Sequence, residues 1–308
     1  AGKAADGVTA TAASKSGLWG DAMTPVDLLI VGAAELVTMA GGPRRGDRMQ
    51  DPGAIPGGAL AARGGRIVAV GPADEVLAAV ETGPDTQVID ARGRAVVPGF
   101  VDPHTHLCFA GDRAEEFALR LGGATYQELA ARGGGILQTV RATRAASQAE
   151  LVDLGLSRLD LLALNGTTTV EVKSGYGLST ADELKQLRAI REMARRHPLT
   201  VVPTFMGAHE VPPEYRSRRE AYVDLLVGEM LPAVAAEPGL ARYADVFTEH
   251  GVFSVEESRR ILQRAKELGF GVKVHADELS DLGGAALAAE LGAASAEHLL
   301  HTPAEGLA

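Results

Sequence analysis

A chain of 308 residues can bury a full hydrophobic core and exceeds one ordinary domain without reaching two, so one large domain with a small companion is expected. Hydrophobic residues at 46% and charged residues at 23% exclude a disordered chain, and a net charge of −10 excludes the clustered cations that a nucleic-acid partner requires. Cys108 is the only cysteine, which excludes an internal disulfide or an all-thiolate metal cluster; with no apolar run of about 18 residues, no membrane partner is expected and the cytoplasm is the default compartment.

Residues 1–22 are mostly small and precede Met23, the first methionine, so they read as a flexible extension. Residues 23–98 form short apolar runs, DLLIVGAAELVTM, ALAARGGRIVAVG and QVIDARGRAVVPG, broken by glycine turns. They predict a small, β-sandwich-like N-terminal subdomain with hairpins at Gly64-Gly65 and Arg92-Gly93. The stretch GGPRRGDRMQDPGAIPGG between the first two runs reads as a loop rather than an element.

From residue 99 to 308 short strands alternate with helical stretches, the rhythm of a parallel sheet with crossover helices. The predicted strands are AVVPGFVD, TTTVEVK, TVVPTFM, ADVFTE, FGVKVHA and AASAEH. Helix starts are expected at the reciprocal caps Ser147 with Glu150, Thr180 with Glu183, Ser254 with Glu257 and Thr302 with Glu305, and helix stops at Gly166 and Gly269. About six strand-helix units predict an α/β fold, a (β/α)8 TIM barrel truncated at its C-terminus, since a whole barrel needs roughly 250 residues.

In such a barrel the chemistry projects from the carboxyl ends of the strands. His104 and His106, two apart, place both imidazoles on one side of the first strand, where they can share a metal ion. His275 and His298 close the fifth and sixth strands. From spacing alone Arg113 reads as readily as a surface residue paired with Asp112 or Glu115 as a substrate contact, Tyr176 and Tyr126 read as packing residues, and Glu278 as a first-turn helix carboxylate. Cys108 reads as a small buried hydrophobe, and His197, His250 and His301 as surface or capping residues.

PGFVDPHTHLCFAGDR resembles the first-strand motif of the amidohydrolase superfamily. Together with TVEVKSGYGL, TFMGAHEVPPEYR, DVFTEHGVF, KVHADEL and SAEHLLHTPAEG it resembles the imidazolonepropionase family in particular. That resemblance implies an amidohydrolase-type barrel and one Zn2+ or Fe3+ ion held by His104, His106 and His275, with a further Asp ligand expected beyond residue 308. It also implies that His298 holds the attacking water, that Glu278 shuttles protons, and that Arg113, Tyr176, His209, Glu278 and Tyr126 contact the substrate. The implied reaction is hydrolysis of the small molecule 4-imidazolone-5-propanoate to N-formimidoyl-L-glutamate in histidine degradation, by an enzyme that forms homodimers. Lys173 lies on the second strand and reads as structural or substrate-shaping, so a single ion is expected. The alternatives are another cyclic amide or amidine hydrolase, such as a nucleobase deaminase or a hydantoinase-like enzyme, and a catalytically silent truncated barrel.

Overall fold

The computed structural model describes residues 23–123 and 134–307, so the expected extension at 1–22 and the candidate Tyr126 lie outside the described residues. Contacts divide the chain into two units, residues 1–98 and 99–308.

In the first unit β1 (Thr24–Val31) lies between β4 (Gly58–Arg63), antiparallel to it, and β6 (Val80–Asp90), parallel to it, with β5 (Arg66–Pro72) outside β4. Pairing of β1 with β6 shifts register between Val26 and Leu28, and this bulge explains how Val26 and Leu29, three apart, both reach the core. The Gly64-Gly65 hairpin is as expected: both residues have positive φ, the conformation of a tight primed turn, and Asp27 accepts a hydrogen bond from the Gly64 N–H. The hairpin expected at Arg92-Gly93 is absent. There Asp90 accepts the Arg92 N–H, and the turn sends β7 (Ala95–Val96) into a second sheet, parallel to β2 (Glu35–Val37). The glycine- and proline-rich stretch also departs from expectation, since it holds a 3-10 turn, Gly46–Gln50, and β3 (Ala54–Pro56) antiparallel to β2. It is closed by the Thr38 hydroxyl donating to Gly53 O.

Among its described residues the second unit carries six strands in sequence order, every neighbouring pair parallel: β8 (Phe100–Asp102), β9 (Thr167–Lys173), β10 (Thr200–Ala208), β11 (Tyr243–Thr248), β12 (Gly271–Ala276) and β13 (Ser295–His298). Helices cover the sheet, among them Gln148–Leu164, Thr180–Arg196 and Val255–Glu267, and they pack on a core that includes Leu151, Leu159, Val170, Ile190, Met193 and Val246. Strands so covered read as continuous apolar runs, and the polar residues inside them become conspicuous.

Capping boxes form at Ser147 with Glu150 and at Ser254 with Glu257 as expected. The other two differ. Helix Thr180–Arg196 is capped one residue earlier, by Ser179 accepting from Asp182, because Glu183 is buried and accepts the N–H groups of Gly175, Gly177 and Leu178 instead. Thr302 caps no α-helix: its hydroxyl donates to Asp277, and Ala304–Leu307 is a 3-10 turn.

Candidate metal centre

β8 ends at Asp102, and the extended segment that follows keeps pairing with β9: Thr105 donates its hydroxyl to Glu171 O, and the Lys173 N–H donates to Thr105 O. With Thr105 turned to β9, His104 and His106 face the sheet interior. On β12 the alternation Lys273, His275 brings His275 to the same interior, where it stands in register with Glu297 of β13.

The three imidazoles converge. His106 Nε2 lies 3.1 Å from His104 Nε2 and 3.1 Å from His275 Nε2. Three ligands about 2.0–2.1 Å from one zinc ion in tetrahedral array have nitrogens roughly 3.3–3.4 Å apart, close to this spacing. Their rear nitrogens meet carboxylates: His104 Nδ1 is 2.8 Å from Glu297 Oε2 and His275 Nδ1 is 3.0 Å from Asp245 Oδ2. Both are close ion-pair contacts rather than well-aligned hydrogen bonds. A proton held on each Nδ1 leaves the Nε2 lone pair facing the shared point. Burial and the neighbouring imidazoles hold His106 well below the usual imidazole range, so its ring is neutral, the form a metal ion would require. The donor set therefore fits a single divalent or trivalent cation of the zinc or iron type.

Other expected site residues gather round this point. The His298 ring lies 5.1 Å from that of His104 and 5.0 Å from that of His275, and its Nε2 is 3.5 Å from Glu278 Oε2. His298 holds a φ of +75°, left-handed backbone that costs a non-glycine residue energy. Two carboxylates pin the turn that carries Glu278. Asp277 accepts the N–H groups of Leu282, Gly283, Gly284 and Ala285, while Glu249 accepts those of Leu279 and Ser280 and the Ser280 hydroxyl.

The His209 ring stacks on His106 at 4.7 Å and 21°, and burial pushes it down to about 3. Tyr176 lies 5.3 Å from the His209 ring and 5.9 Å from that of His106. Gly175 permits this, since a Cβ there would come within 2.9 Å of His209 Nδ1 and its φ is +107°. Arg113 lines, with His106, Phe109, Arg158 and Tyr176, a cavity of about 740 Å³. Asp112, one of its expected surface partners, instead accepts the Ala114 N–H.

Beneath the imidazoles is a polar layer that the sequence reading did not anticipate. Lys173 Nζ contacts Glu171 Oε1 at 2.8 Å, Asp245 Oδ2 at 2.7 Å and Glu297 Oε2 at 3.0 Å, and Lys273 Nζ contacts Glu297 Oε1 at 2.5 Å and Glu171 Oε1 at 3.1 Å. Burial opposes ionisation of Glu297, but His104 and the two lysines outweigh it and hold the carboxyl at about 2. Asp245 is likewise held well below the carboxylate range by His275 and Lys173 against the cost of its burial. Burial opposes the Lys173 charge too, yet the facing carboxylates raise its pKa, so Lys173, Asp245 and Glu297 are all ionised. The signal was present as alternation, Glu171 with Lys173 and Lys273 with His275, two apart within apolar strands.

The amidohydrolase family model matches residues 87–146, the stretch that holds His104, His106 and Arg113. The chain is 89% identical over 286 residues to the imidazolonepropionase of Symbiobacterium thermophilum, covering 93% of this chain and 67% of that protein. The chain belongs to the imidazolonepropionase family. A second relative in the family, from Herpetosiphon aurantiacus, is 54% identical over 295 residues, again covering 93% of this chain and 67% of the relative. Among solved structures, a 5-methylcytosine deaminase from Klebsiella pneumoniae liganded with 5-fluorocytosine is similar, with a TM-score of 0.56 at 19% identity over 86% of this chain and 56% of that one. An adenosine deaminase from Xanthomonas campestris with bound zinc has a TM-score of 0.51 at 18% identity over 88% of this chain and 54% of that one. These likenesses show that this member of the imidazolonepropionase family has an amidohydrolase-type fold with a parallel α/β sheet. The chain spans about two thirds of the length of its family relatives and little more than half that of the solved structures.

Proposed function

We propose that this chain hydrolyses 4-imidazolone-5-propanoate to N-formimidoyl-L-glutamate, with one zinc or iron ion held by His104, His106 and His275. The observation that carries the reading is the 3.1 Å convergence of the three Nε2 atoms in a member of the imidazolonepropionase family. Such an ion, when bound, polarises a carbonyl and lowers the pKa of water. The rest falls to side chains. His298, against both His104 and His275, orients the attacking water. Glu278, beside His298, accepts the water's proton as oxygen adds to the ring carbonyl carbon, and returns it to the ring nitrogen as the amide C–N bond breaks. Arg113 meets the propionate carboxylate with a planar fork that lysine lacks, Tyr176 lines the same cavity, and neutral His209, stacked on His106, contacts the ring.

In this reading the six parallel strands are consecutive parts of a (β/α)8 barrel accompanied by the N-terminal β subdomain, in a cytoplasmic homodimer. Turnover of imidazolonepropanoate by the metal-loaded full chain tests it. Glu278→Gln is expected to lose about 10²–10⁴-fold in kcat with the metal retained, and Arg113→Lys to act mainly through KM. Preference for cytosine or hydantoin over imidazolonepropanoate would overturn the substrate, and full activity of Glu278→Gln would overturn the proton carrier.

A further inference from the structure

We infer that Lys173 is a positioning residue whose ammonium anchors the two carboxylates that hold the rear nitrogens of His104 and His275. The inference rests on the reading of the three imidazoles as a metal centre. Lys173 is fully buried and cannot serve substrate from the mouth of the sheet. Its Nζ reaches Asp245 Oδ2 at 2.7 Å and Glu297 Oε2 at 3.0 Å, and these same two oxygens lie 3.0 Å from His275 Nδ1 and 2.8 Å from His104 Nδ1. One cation thus joins two carboxylate–imidazole pairs. Glu297 Oε2 also lies 3.7 Å from His275 Nδ1, which ties the two pairs together. The other Glu297 oxygen is held by Lys273 at 2.5 Å and by the Ser295 hydroxyl at 2.8 Å, so the carboxylate cannot swing away.

The Asp245, His275 and Glu297 group has the donor spacing of a cation site of its own. The Lys173 ammonium is already the cation of that group. Among the described residues the rear nitrogens of His104 and His275 each face a carboxylate while that of His106, the third imidazole, does not, so orientation of the trio depends on the first two rings. Ligand imidazoles whose rear N–H is held in this way bind metal roughly 10–100-fold more tightly than unbraced ones.

Two measurements on the full chain test the bracket. In metal-free protein carrying ¹⁵N-histidine, His104 and His275 are expected as Nδ1–H tautomers, with both assignments disturbed in Lys173→Met and that of His104 in Glu297→Gln. In competition with a chromogenic chelator, both variants are expected to bind cobalt(II) about 10–100-fold more weakly, with an altered visible spectrum and unchanged far-ultraviolet circular dichroism. If Lys173→Met fails to fold, Glu297→Gln decides. Wild-type tautomers, cobalt affinity and spectrum in the folded variants would overturn the bracket. A wild-type chain that shows the tautomers yet binds no cobalt would sink the metal-centre reading and leave the bracket standing.

Discussion

Cys108 follows His106 by two residues yet takes no part in the site. Its side chain is fully buried, Sγ lies 3.8 Å from Gln186 O, and burial pushes the thiol up to about 12. Only the thiolate reacts, so an aromatic disulfide reagent at pH 8 is expected to leave the native protein unlabelled and to label one thiol after denaturation. Prompt native labelling would place Cys108 elsewhere. Some site residues were legible because their chemistry leaves a local trace. An H-x-H pair after a strand points two imidazoles one way, and His104 and His106 do meet. Asp245 and Glu297 left no such trace, since a lone carboxylate in a strand acquires meaning only from the buried lysines opposite it. His197 shows the opposite case. It reads as a surface or capping residue, and although its side chain is largely buried, its Nδ1 accepts the Leu199 N–H at the end of a helix while Nε2 lies 3.1 Å from Asp160.

Helix starts divide by whether their partners are local. At Ser254 the hydroxyl accepts from Glu257 N at 3.2 Å and Glu257 answers to Ser254 N at 2.7 Å, all within one turn, so the motif was readable. Ser254→Ala is expected to cost about 1 kcal/mol in denaturant unfolding, with activity of the folded enzyme unchanged. At Thr180 and Thr302 the same pattern was overridden by distant partners, the turn after β9 in one case and Asp277 in the other. Local spacing could not foresee either. The strand alternation of the second unit was readable because covered parallel strands are apolar runs. The Arg92-Gly93 turn was misjudged because a glycine turn does not say which strand the chain will pair with next.

At the scale of the molecule the order of the described parallel strands in the second unit was legible, since each crossover leaves its own rhythm in the sequence. The coupling of site to fold was not, because it depends on strands far apart in the chain. An ion that binds only the folded state adds stability by mass action, roughly 2.7 kcal/mol at a free concentration one hundred times its Kd. Addition of zinc to stripped full chain is therefore expected to raise the melting temperature, and a chelator to reverse the rise. No shift in wild type, or an equal shift in His106→Ala, would remove His106 from the ion's ligands.

His106 and His275 stand 169 residues apart. A ribosome adding about 5–20 residues per second needs on the order of ten to thirty seconds to make the second after the first. Throughout that interval the proposed three-imidazole site lacks its last member. In the proposed reading, then, the site is a property of the finished sheet and not of the H-x-H motif that announces it.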